Sequence, residues 1–179
     1  MLKITIPGRD MFNEETNEFI HTNEHTIQLE HSLVSVSKWE SKWNKPFLSK
    51  EPKSIDETID YIRCMTITQN IDPVVYNGLT TENIEMINKY IDAPMTATTF
   101  SRNRGPMNNE IVTSELIYYW MTALNIPMEC QKWHLSRLLT LIRVCNVKSS
   151  PDKKMSKREI MQRNSALNAA RRARLNSKG

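Results

Sequence analysis

Glycine is scarce in this chain of 179 residues, with only four in all. Phosphate-cradling loops rely on closely spaced glycines, and none of the patterns GxxxxGK[ST], GxGxxG, GxSxG or HExxH occurs, so the common nucleotide-binding and hydrolase signatures are missing. Cysteine is sparse too. Cys64, Cys130 and Cys145 are an odd number set among apolar neighbours, which suits small buried hydrophobes in a reducing compartment and predicts no disulfide. Long apolar runs are also lacking: the greasiest stretch, 113–146, is interrupted by Asn125, Glu129, Gln131 and Lys132, short of the roughly 18 consecutive apolar residues of a membrane span. No apolar segment and cleavage site follow Met1-Leu2-Lys3, so no secretory signal is expected, and the cytoplasm is the expected compartment.

What is present is a polarised charge distribution. The net charge is +4, yet residues 148–179 hold ten basic and two acidic residues, which leaves 1–147 with 14 basic and 18 acidic. A basic appendage on a mildly acidic body is a pattern of interaction tails. The length suits one ordinary domain, so the expectation is an α+β domain over 1–147 followed by a basic helical or mobile tail over 148–179.

Leu2-Lys3-Ile4-Thr5-Ile6 alternates apolar and polar residues and ends at Pro7-Gly8, a strand and a turn. Residues 18–21 and 25–30 flank Thr22-Asn23-Glu24, a length suited to a hairpin loop, so a small N-terminal antiparallel sheet is expected. From Ser32 the period becomes helical, with an expected stop near Asn44 ahead of Pro46 and an apolar plug at Phe47-Leu48. Ser54 and Glu57 have capping-box spacing, and the helix after them is expected to bury Ile55, Ile59, Ile62 and Met65 while Asp56, Glu57 and Asp60 face water. Asp72-Pro73 predicts a short helical turn, Thr80 or Thr81 caps a helix carrying Ile84, Ile87 and Ile91, and 95–100 reads as a short strand. The centre of the fold is expected at 113–146, a buried helical hairpin turning at Asn125-Ile126-Pro127, with its first arm covered on most sides. A last helix, basic and poor in apolar residues, should follow Ser156 with a second capping-box spacing to Glu159 and run to about Leu175. The fold class is therefore α+β and predominantly helical.

His21, His25 and His31 alternate sides of the expected hairpin, and Cys130 and His134 lack partners at zinc-finger spacing, so ordinary polar contacts are expected and no metal or cofactor is assigned. No catalytic residues are assigned and no enzyme is expected. Trp39 and Trp43 sit one helical turn apart, a spacing that serves core packing or, if exposed, an anchor for a partner chain. Arg102 and Arg104 stand in the loop SRNRGPMNN, and Arg171, Arg172 and Arg174 cluster on the last helix, where they suit phosphate contacts although 148–179 contains no aromatic residue for base stacking. These seven residues are the candidates for partner contact.

Taken as a set, EHSLVSVSKWESKWNKPF (30–47), YIRCMTITQN (61–70), MTATTF (95–100), SELIYYWMTALNIP (114–127), KWHLSRLLTLIRVCN (132–146) and the closing KKMSKREIMQRNSALNAARR resemble the tail assembly chaperones of long-tailed bacteriophages. The resemblance implies a non-catalytic assembly factor that acts in the infected host, binds the tape measure protein, helps recruit tail tube protein and is absent from the finished virion. Such proteins often have a second, longer product made by ribosomal frameshifting. Two alternatives stand beside this reading: a nucleic-acid-binding phage protein using the basic tail, and a structural neck or tail component. No membrane partner is expected, and a homo-oligomer stays open.

Overall fold

The computed structural model describes residues 1–13, 18–100, 110–149 and 157–175. It is α+β and mostly helical, and the chain divides into two compact units, Met1–Cys145 and Asn146–Gly179. No described helix is long and apolar enough to cross a membrane.

The first unit begins with a β-ribbon. β1 (Leu2–Ile6) pairs antiparallel with β4 (His25–Leu29), and β2 (Arg9–Asn13) pairs with β3 (Glu18–Thr22). The expected hairpin around 22–24 is thus corrected, because β3 and β4 are successive parts of one arm and do not pair with each other. Both ladders keep one register, Leu2 opposite Leu29 and Arg9 opposite Thr22, with Pro7-Gly8 facing Asn23-Glu24 at the break. Gly8 is required there, since a Cβ would lie 2.5 Å from the Thr22 carbonyl oxygen. Ile4 opposes Ile27 and both are buried, so the alternation read from the sequence does turn its apolar face inward. The outer edge of β4 is covered by the chain leaving the second helix: Ile67 N–H donates to the Gln28 carbonyl (2.8 Å) and Glu30 N–H to that of Met65 (2.9 Å).

Helix ends follow local chemistry closely. α1 (Leu33–Trp43) is capped by Ser32 and stops at Asn44 in the left-handed region (φ 52°). α2 (Ile55–Met65) starts at the reciprocal Ser54 and Glu57 box, and α3 (Thr81–Ile91) at an equivalent exchange between Thr80 and Asn83. A 3₁₀ turn, Pro73–Gly78, precedes α3, with Asp72 accepting from Val74 N–H. α4 (Ser114–Ala123) ends at Asn125 (φ 52°), where Ile126 N–H bonds the Met121 carbonyl and Asn125 N–H that of Thr122, a Schellman closure. Asparagine takes the left-handed positions that glycine usually fills. A 3₁₀ turn, Met128–Lys132, leads to α5 (Leu135–Ser149), so the second arm of the hairpin starts later than a restart at Pro127 would place it. Residues 95–100 form no strand, contrary to expectation.

α1 is the hub, packing against α2, α4 and the 3₁₀ turn at 128–132. The hairpin 113–146 supplies Ile117, Met121, Leu135, Leu138 and Ile142 to the core but does not organise it. α1 and α2 are joined by carboxylates that had been expected in water. Glu57 accepts from Ser54 N–H (2.8 Å) and from Lys45 Nζ (2.6 Å), Asp60 accepts from Lys42 Nζ and from the Trp43 indole (3.0 Å), and the Trp39 indole donates to the Glu57 carbonyl oxygen (2.8 Å). Lys45, with the Ser54 amide, holds the Glu57 carboxyl below its ordinary range. Ile55, expected in the buried stripe, is 79% exposed, because the stripe rotates to bring Tyr61, Ile62 and Met65 inward.

Glu40 ties α1 to α4. Buried in the core, its Oε1 accepts from Phe47 N–H and its Oε2 from Ser114 N–H, both at 2.7 Å, the latter at the first turn of α4 where the helix dipole favours negative charge. Glu40→Ala strands two buried amide donors and should lower stability by about 3 kcal/mol, with Glu40→Gln falling between it and the wild type. Urea unfolding at neutral pH checks this, and midpoints equal to wild type for both variants would refute the bridging role.

Candidate functional site

Trp39 is 1% exposed and packs edge-on to Phe47 (ring centroids 5.2 Å apart) and stacked on Trp43 (6.2 Å). It belongs to the core, so it offers no anchor to a partner; Trp43 is half-buried with its indole N–H committed to Asp60. Arg102 and Arg104 lie outside the described residues. Arg171, Arg172 and Arg174 are exposed on α6 (Lys157–Leu175), in the second unit. The seven candidates thus divide among the first unit, the second unit and residues outside those described. Ser156, the expected cap of α6, lies outside the described residues.

The histidines also separate. His21 pairs with Asp10 on the exposed outer ribbon, whereas His31 and His134 are buried with ring centroids 5.1 Å apart. His134 Nδ1 accepts from Ser136 N–H (3.3 Å) and its Nε2–H donates to the Tyr90 carbonyl (3.0 Å), which fixes the orientation of the ring. His31 Nδ1 bonds the Tyr61 hydroxyl. Among the described residues no group of three or more histidine, cysteine or acidic side chains is placed to hold a metal ion, and all three cysteines are free thiols.

The surface with binding character was missed at the level of single residues. α4, expected to be covered on most sides, buries only Ser114, Ile117 and Met121, while Tyr119 is 65% exposed and Leu116, Trp120 and Leu124 are half-buried. α1 can cover only one face of a cylinder, and nothing among the described residues seals the other. Trp120, Leu139, Val112, Ile111 and Leu48 line an open groove of about 830 Å³, with Lys50, Glu51 and Glu110 also on its walls. Ile111 is 63% exposed. The signal for this groove in the sequence was the surplus of apolar residues on α4 over what one helical neighbour can cover.

A second, smaller cleft of about 450 Å³ lies between α2 and α3, lined by Ile55, Ile59, Leu79 and Ile84 with threonines and Lys53. Its titratable side chains are Lys53 and Tyr76, and the Tyr76 hydroxyl is committed to Thr66.

Burial, and then the neighbouring His134, lowers the His31 pKa from 6.5 to about 4. The unfolded chain takes up this proton first as the pH falls, so the stability from a neutral His31 is complete above pH 6.5 and is lost on descent to about pH 4, a change of about 3 kcal/mol. Urea midpoints at several pH values in that window should show a steeper acid loss in the wild type than in His31→Gln; parallel profiles would exclude His31 as the cause.

The chain matches no protein-family model, no curated protein and no solved structure.

Proposed function

We propose that this chain is a non-catalytic tail assembly chaperone of a long-tailed bacteriophage, which binds the tape measure protein and helps recruit tail tube subunits. The observation that carries the reading is the resemblance, over most of the chain, of 30–47, 61–70, 95–100, 114–127 and 132–146 to that family. The groove beside α4 supports it. A long helical partner offers side chains at helical spacing, and an open trough lined by Leu48, Ile111, Val112, Trp120 and Leu139 with charges of both signs on its walls suits such side chains. Contacts of this kind are individually weak and gain strength by repetition along the partner.

Co-expression with the tape measure protein of the same phage tests the reading. A soluble complex is expected, and a tape measure protein that stays insoluble and uncomplexed counts against it. Leu48 and Ile111 are exposed, so Leu48→Asp and Ile111→Asp should leave folding intact. Each removes an apolar contact of about 1.5 kcal/mol or more and should weaken capture at least about tenfold in pull-down titrations. Unchanged capture would place the contact elsewhere.

A further inference from the structure

We propose that α6 is a nucleic-acid-binding arm that grips the phosphate backbone of a duplex. This surface shares no residue with the groove, so it stands or falls apart from the chaperone reading.

α6 spans 19 residues, about 28 Å of helix, and every side chain described on it is exposed. It carries Lys157, Arg158, Arg163, Arg171, Arg172 and Arg174 against the single acid Glu159. Arg171 and Arg174 are neighbours on the helix surface, and like charges at that spacing cost a few tenths of a kcal/mol. None of Arg171, Arg172 and Arg174 forms an ion pair with a described residue that would relieve this. The dipole at a helix C-terminus favours a cation, but it does not call for three within four residues. A run of phosphates supplies the missing counter-charge.

The flank beside the arginines has the matching chemistry. Asn164, Ser165, Asn168 and Arg172 line one shallow trough along the helix together with Met161 and Ala169. Amide, hydroxyl and guanidinium donors are the groups that bind phosphate oxygens, and the short side chain of Ala169 lets a backbone come close. No aromatic residue is available for stacking on unpaired bases, so recognition is of phosphates and independent of sequence. A lipid surface fits less well, because an interfacial helix needs one strongly apolar face, and here Asn164, Asn168 and Arg171 intervene among Ile160, Met161, Leu167 and Leu175. An acidic protein fits less well too, for want of an aromatic anchor.

The test uses the full chain and a fluorescein-labelled duplex of about 20 base pairs with arbitrary sequence. Three phosphate contacts predict that affinity falls about 40-fold between about 50 and 200 mM salt. Binding should be lost in R171Q/R172Q/R174Q and kept in R171K/R172K/R174K. Absence of binding at the lower salt, an unchanged Kd in the glutamine triple variant, or displacement by poly-glutamate as readily as by unlabelled duplex overturns the proposal. Tighter association with phosphatidylserine vesicles than with duplex also overturns it, in favour of a lipid surface.

Discussion

Glu40 sits where α1, the loop after it and the start of α4 meet, and each of its carboxylate oxygens accepts a backbone amide hydrogen. A carboxylate removed from water is tolerated only when its oxygens find donors, so both segments must hold their geometry for the charge to remain there. The other side of α1 repeats the logic with Glu57 and Asp60, whose partners are lysines, a serine amide and a tryptophan indole. Apolar burial drives these elements together, and the buried acids specify which way round they pack. α1 is the hub because it extends its own Glu40 to α4 and meets Glu57 and Asp60 of α2, while its Leu33, Val36 and Trp39 fill the space between.

Pinning α4 at its first turn has a consequence for binding. The helix presents Ile117 and Met121 to α1, and its remaining apolar side chains are left at the surface, where Trp120 joins Ile111, Leu48 and Leu139 in a groove. Apolar character therefore sits on the first unit and dense positive charge on α6 of the second. The two surfaces work by different physics. Contacts in the groove would persist in salt, whereas those of the arginine helix weaken as counterions compete.

The proposed chaperone role and the exposed groove address one question from two directions: the first names a class of partner, and the second is an open, largely apolar surface. Trp39 and Trp43 illustrate why residue type alone misleads. Their spacing suits a core pair or, if exposed, an anchor, and only the neighbouring carboxylate of Asp60 and the carbonyl of Glu57, which accept their indole hydrogens, resolved it.

Helix boundaries were legible in the sequence because a cap is a bond between residues three apart: Ser32, Ser54 with Glu57, and Thr80 announce their helices with no help from the rest of the chain. The positions of β1, β3 and β4 were legible for a similar reason, since alternation is local, but β2 was not foreseen, 95–100 forms no strand, and β3 pairs with β2 where a hairpin with β4 was expected. The apolar surplus on α4 was visible as well, although its exposed side was not. By itself, then, the sequence determined the capped helices, the alternating faces and the basic tail. Only the tertiary structure decided which acids are buried and which apolar side chains stay outside, because burial is set by partners remote in the chain: Glu40 meets Ser114, 74 positions on, and no local pattern encodes that meeting.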